Sequence, residues 1–238
     1  FSDYMKPAVR IAALMGVPVK FIWTHDAFRV GEDGPTHEPV EQEAQIRLME
    51  KLQNHKGQDS VRVFRPADAD ETTVCWAMAM ENTDTPTALI LSRQGIAKLP
   101  AGNNYEEARK GAYIVAGSDE NPDVILVASG SEVSTLESGC EALRRDGIKV
   151  RVVSAPSEGL FRRQSAEYQE AVLPYNVKKF GMTAGLPCTL EGLVGIGPNS
   201  KVFGMKSFGF SAPYKVLDEK LGYTGENVYN QVKEFLNR

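Results

Sequence analysis

Two of the chain's three histidines stand twelve residues apart in one polar stretch, Thr24-His25-Asp26 followed by Gly31-Glu32-Asp33-Gly34-Pro35-Thr36-His37-Glu38-Pro39. Imidazoles titrate near neutrality and exchange donor and acceptor roles, while carboxylates accept hydrogen bonds from hydroxyls, so the stretch could recognise a polar small molecule and manage a proton on it. His25, Asp33 and His37 could also be read as metal ligands, but their spacing matches no HExxH-like helix signature. Asp33-Gly34-Pro35 is good turn chemistry by itself, so a plain surface turn stays open beside a ligand loop.

The flanking sequence supplies elements to carry such a loop. Tyr4, Ala8, Ile11 and Met15 recur at helical spacing and Gly16 stands where the helix would stop, so an amphipathic helix precedes the β-rich run Val19 to Trp23. The polar stretch then leaves the C-terminal end of a strand, the edge at which open parallel sheets bind ligands. Val40 to Leu52 reads as helix, Val61 to Phe64 as strand, Asp70 to Met80 as helix and Ala88 to Leu91 as strand, an alternation that predicts βαβ units. From Gln94 to Arg109 no period is sustained, and the domain boundary falls there. Beyond it, strand Val124 to Ala128, a helix presenting Val133, Leu136, Cys140 and Leu143, a cap at Gly147 and strand Ile148 to Val153 form another βαβ unit. Weaker strands follow at Lys178 to Met182 and Val202 to Gly204, then a terminal amphipathic helix with Thr224 as N-cap.

The 238 residues carry a net charge of −4 without long single-sign blocks, which leaves no footprint for nucleic acid or an anionic membrane surface. The longest near-apolar run, Ile11 to Val19, is too short to span a bilayer. Cys75, Cys140 and Cys188 are widely spaced and odd in number, and they read as reduced core thiols of a cytoplasmic protein. His55, in Asn54-His55-Lys56-Gly57, reads as a solvated loop residue. Ser131 reads as a helix N-cap, and Ser211 in SFGFSAP as structural.

WTHD followed by GEDGPTHEP resembles the pyrimidine-binding domain of transketolases, the thiamine-diphosphate enzymes of the pentose phosphate pathway. FSDYMKPAVRIAALMG, VFRPADADE and ALILSRQ resemble further parts of that domain in the expected order, and ILVASGSEVS, VRVVSAPS, VLP and SFGFSAP resemble the family's C-terminal domain. The resemblance implies an α/β chain of two domains, each a mostly parallel sheet flanked by helices: a truncated pyrimidine-binding domain over residues 1–97, a linker over 98–110 and a C-terminal domain over 111–238.

It further implies transfer of a two-carbon ketol unit from xylulose 5-phosphate to ribose 5-phosphate or erythrose 4-phosphate. In that reading His25 and Arg93 match phosphate-binding residues, a guanidinium being suited to charge-assisted bonds with phosphate. Asp33 matches the acid that recognises a sugar hydroxyl, and His37 a catalytic histidine beside the reacting carbon. Phe1 and Tyr4 match aromatics that wrap the cofactor's aminopyrimidine. The cofactors would be thiamine diphosphate and Mg or Ca, the metal held by residues outside this chain, and the partner a second subunit in a homodimer.

Three departures from the family pattern carry expectations. Ala27-Phe28-Arg29 replaces the usual Ser-Ile-Gly and would put a bulky ring and a charge near the sugar channel. Residues 46–59 look like a charged surface elaboration. The family's diphosphate-binding domain and activating glutamate are not in this sequence, so the chain reads as a fragment inactive without an N-terminal portion. Dihydroxyacetone synthase, deoxyxylulose-phosphate synthase and a non-catalytic dimerisation or regulatory module are the alternatives.

Overall fold

The computed structural model describes residues 1–100, 102–117 and 121–237. Ala101, inside the expected linker, and Ser118, Asp119, Glu120 and Arg238, inside the expected C-terminal domain, lie outside the described residues.

Helix α1 (Ser2–Met15) ends on Gly16, whose left-handed φ of 65° lets its N–H return to the helix. Strands β1 (Lys20–Trp23), β2 (Arg62–Phe64) and β3 (Thr87–Ile90) form a parallel sheet in the order β1-β3-β2, with helices α2 (Gln42–Met49) and α3 (Ala69–Glu81) in the crossovers. The helix is where the sequence places it, but its apolar stripe is not what packs. Val9, Ala12 and Ala13 are buried, while Tyr4, Ile11 and Met15 are 83%, 52% and 65% exposed. Small side chains let the helix approach its neighbours closely, and the bulky stripe is left facing outward.

The second sheet begins with β4 (Tyr113–Gly117) and continues through β5 (Val124–Ala128), β6 (Val150–Ser154), β7 (Lys178–Met182) and β8 (Ser200–Phe203), in the order β4-β6-β5-β7-β8. All pairs are parallel except β4 with β6. All five residues of β5 are buried, as suits an uninterrupted apolar run covered on both faces. Helix α4 (Glu132–Arg145) buries Val133, Leu136, Cys140 and Leu143 completely, the face the spacing marks out. Helices α5 (Glu158–Arg162), α6 (Ala166–Val172), α7 (Cys188–Val194), α8 (Tyr214–Leu221) and α9 (Gly225–Leu236) complete the described elements, and Thr224 caps α9 through the N–H of Asn227.

Several local expectations are corrected. A 3-10 helix occupies Gly102–Lys110, whose three-residue turn leaves no α period to detect. Antiparallel β4 went unread because its sequence, Tyr-Ile-Val-Ala-Gly, is short and closed by a glycine. Cys75 and Cys140 are core thiols, but Cys188 is exposed at the start of α7. Of the stretch 46–59, Ile46, Arg47 and Glu50 are buried, and the surface elaboration is confined to the turn beyond them, where His55 is exposed. None of the helices among the described residues is long and apolar enough to cross a membrane.

Candidate active site

β1 and β3 run parallel with Trp23 opposite Ile90, and the Leu91 N–H donates to the Trp23 carbonyl at 2.7 Å. The strands therefore end together, and the segments carrying His25 and Arg93 leave from one sheet edge. Past β1 the chain makes a short 3-10 turn over Phe28–Val30 and swings round Gly34, whose carbonyl accepts from the N–H groups of His37 and Glu38, both at 3.1 Å. The turn runs from Gly34 to Glu38, starting inside the expected Asp33-Gly34-Pro35, and Asp33 and His37 at its ends face a cavity.

That cavity has a volume of about 490 Å³. Its apolar wall is made by Phe1, Met5, Ile22, Trp23, Ile46 and Ile90, and its polar rim includes His25, Asp33 and His37. The three polar side chains are exposed to it, and each imidazole is held by its neighbour: Thr24 Oγ1 lies 2.8 Å from His25 Nδ1, and Thr36 Oγ1 2.9 Å from His37 Nδ1. With Nδ1 engaged, Nε2 is left for a ligand. Among the described residues no three His, Cys, Asp or Glu side chains converge as a metal-ligand set.

Two expected site residues stand apart. Tyr4 does not line the cavity; it lies outside it, with its ring 6.1 Å from that of Phe1. Arg93 is exposed three residues beyond β3, at the right edge but not in the cavity wall. Phe28 and Arg29 overturn the expectation of a ring and a charge in the channel. Phe28 is fully buried against Tyr223, with ring centroids 4.6 Å apart, and Arg29 is 4% exposed with its guanidinium turned into the protein.

The loop is anchored from the far side by the second sheet's connections. Ser211 Oγ donates to the Glu32 carbonyl at 2.6 Å, and the Leu186 N–H donates to the Val40 carbonyl at 3.1 Å. Ser211 is structural as expected, but it braces the loop directly. Glu38, next to His37, is buried where the backbone N–H groups of Phe210 and Gly31 face its carboxylate, and burial pushes its pKa up to about 7.

Sequence reasoning missed the charged layer beneath the cavity. Arg65, 1% exposed, donates from Nε to Asp26 Oδ2 at 2.8 Å and from Nη1 to the Ser129 carbonyl and Glu132 Oε2, both at 2.6 Å. Burial raises the Asp26 pKa against the pull of Arg65. Glu132 is held low in spite of its burial, by Arg65 and Arg29. Ser131 stands at the N-cap position of α4 as expected, but its side chain makes no capping bond: its hydroxyl accepts from Arg29 Nη1 at 2.8 Å and donates to Glu132 Oε1 at 2.7 Å. The available signal was Arg65 directly after the apolar strand Val-Phe, a position where an arginine is either solvated or fully paired.

Comparison with known proteins gives a consistent answer. Residues 1–98 match the family described as transketolase, pyrimidine binding domain, and residues 111–224 that described as transketolase-like C-terminal domain. A transketolase of Staphylococcus aureus is 44% identical over 235 residues, covering 98% of this chain and 34% of that protein. A transketolase structure from Leishmania mexicana aligns with TM-score 0.87 and 38% identity, covering all of this chain and 33% of its own. One from Pichia stipitis, in complex with sedoheptulose 7-phosphate, aligns with TM-score 0.87 and 33% identity over the same shares. The chain thus spans about one third of the length of these relatives.

Proposed function

Because the chain belongs to the transketolase family, we propose that it serves thiamine-diphosphate-dependent ketol transfer between sugar phosphates, supplying sugar recognition and one wall of the cofactor pocket. The observation that carries this reading is the convergence of His25, Asp33 and His37 with Phe1 on one cavity at the C-terminal edge of a parallel sheet. The sugar phosphate bound by the Pichia stipitis relative supports the substrate class. The domain division at 1–97, 98–110 and 111–238, a homodimeric assembly and a cytoplasmic setting belong to the same proposal.

The residues present suit the aminopyrimidine half of the cofactor. The wall formed by Phe1, Met5, Ile22 and Ile46 offers one flat ring and apolar surface beside it, and Trp23 Nε1 and Gln42 Oε1 in the same lining are buried without protein partners, a donor and an acceptor still to be used. When bound, thiamine diphosphate supplies an electron sink for carbon–carbon bond cleavage. His37, tied to Thr36 through Nδ1, presents Nε2 to the carbonyl or hydroxyl oxygen at the reacting carbon, where it donates a hydrogen bond or moves a proton. Asp33 accepts from a sugar hydroxyl. His25 and Arg93, leaving one sheet edge, bind the phosphate through charge-assisted hydrogen bonds.

A coupled assay with xylulose 5-phosphate, ribose 5-phosphate, thiamine diphosphate and Mg tests the proposal, run on this chain alone and after mixing with a transketolase N-terminal portion. Activity in the mixture that is lost in His37→Ala is the expected result. Full activity in the mixture with His25, His37 and Arg93 all replaced by alanine would instead make the chain a non-catalytic assembly module. Transfer to formaldehyde or glyceraldehyde 3-phosphate in preference to ribose 5-phosphate would move it to the related thiamine enzymes.

A further inference from the structure

Arg29 leaves the candidate loop three residues after Asp26 and points away from the cavity, and four of its five N–H donors are engaged on the far side. Nη1 donates to Ser131 Oγ at 2.8 Å and Glu132 Oε1 at 2.6 Å, Nε donates to Asp218 Oδ1 at 2.7 Å, and Nη2 donates to Thr135 Oγ1 at 3.2 Å. Every acceptor belongs to the start of α4 or to α8, elements packed with the second sheet. The guanidinium also lies 5.5 Å from the centre of the Tyr223 ring, whose hydroxyl donates to the Thr183 carbonyl at 2.7 Å.

The other oxygen of Glu132 closes the circuit. Oε2 accepts from Arg65 Nη1 at 2.6 Å and from the Ala184 N–H at 3.1 Å, and Arg65 in turn holds Asp26, the residue after His25. A single carboxylate with no exposure therefore grips the loop twice, through Arg29 directly and through Arg65 and Asp26. Gly130 makes room for this: its φ is 62°, and a Cβ there would meet the Arg65 guanidinium at 2.6 Å. The sheet that bears no cavity residue thus fixes the backbone on either side of Ala27, which itself has the unusual φ of 53°.

We propose that Arg29 and Glu132 are positioning residues for the candidate site, and that the second sheet's α4 and α8 set the placement of the His25–His37 loop through them. That these histidines serve sugar phosphates rests on the reading above; the positioning does not. Without the Arg29 link the loop keeps its sequence and its turn at Gly34 but loses the registration of its imidazoles against the cavity.

Arg29→Met tests this in the 238-residue chain, because it removes the link without leaving a buried charge unpaired: Glu132 keeps Arg65, and Asp218 is partly exposed. The measurement is side-chain imidazole NMR, with His55 as an internal control on a distant exposed turn. The expected result is that the His25 and His37 signals shift and broaden while His55 is unmoved, with Arg29→Lys restoring them in part. Unmoved His25 and His37 signals beside a lowered melting temperature would overturn the proposal and leave Arg29 as a stability residue. If Arg29→Met does not fold, Asp218→Asn, which loosens only the outer end of the link, is judged by the same criterion. Because the readout is not turnover, it stands apart from the fate of the ketol-transfer reading.

Discussion

Gly209 lies so close to the carboxylate of Glu38 that a methyl group on its Cα would overlap Oε2. The contact joins the segment before Ser211 to the residue that follows His37. Gly209→Ala must push Glu38 aside or open the loop, and overpacking of this kind costs about 1–3 kcal/mol. Thermal or urea unfolding will show the loss, and the double variant with Glu38→Ala will recover part of it, because the overlapping carboxylate is removed and only the tight contact with the residue 38 Cβ is left.

Two buried carboxylates tie stability to pH. Burial raises both Glu38 and Glu71 from 4.5 to about 7, and Glu71 accepts from the Tyr113 hydroxyl and the Ala67 N–H, both at 2.8 Å. A raised folded-state pKa means that the folded chain holds protons the unfolded chain has released. Their contribution is full below the unfolded value and is lost as pH rises through about 7. Urea unfolding from about pH 5 to about pH 8 should show stability falling across that window. Glu38→Gln and Glu71→Gln should each flatten the slope, and an unchanged slope in both would refute the assignment.

Arg65→Met leaves Asp26 buried without its cation and strips Glu132 of one partner. Breaking one side of a buried ion pair costs about 3–5 kcal/mol, more than Arg29→Met, which strands no fully buried charge. The ordering of the two variants in urea midpoints checks this.

The outward stripe of α1 makes a surface prediction. Tyr4, Ile11 and Met15 are over half exposed on one face of a helix, an apolar patch of the kind that marks an interface. Sedimentation velocity should find the chain self-associating, and Ile11→Glu with Met15→Lys should give monomer. The same distribution in both would remove this face from the assembly.

The cysteines should separate by reactivity. Burial raises the Cys75 thiol well above its usual value and the Cys140 thiol to about 12, whereas Cys188 is exposed. A thiol-specific chromogenic reagent should titrate Cys188 in the folded chain and the other two only after unfolding.

What the sequence showed and what it hid follow from range. Period and composition respond to neighbours in the chain, so α1, β1, α4 and α9 were legible, as was the turn at Gly34. The direction in which α1 faces was not, because Val9, Ala12 and Ala13 win that choice by fitting closely, and an apolar stripe alone does not say which side the protein covers. Ser131 matched the composition of an N-cap, but Arg29, 102 residues away, claims its hydroxyl. Phe28 and Arg29 looked like channel residues for the same reason: their partners Tyr223, Glu132 and Asp218 are remote, and nothing in the local pattern names them.

The hydrogen bond from Arg29 to Asp218 spans 189 residues and that from Ser211 to Glu32 spans 179. Closing such long loops costs chain entropy before any contact repays it. Two of the bonds that brace the His25–His37 loop therefore exist only once α8 and the segment before it have docked. The cavity depends on these distant partners, although His25, Asp33 and His37 lie in the first sixth of the chain. A chain without residues 211–218 would carry every residue of the loop and still lack these two braces.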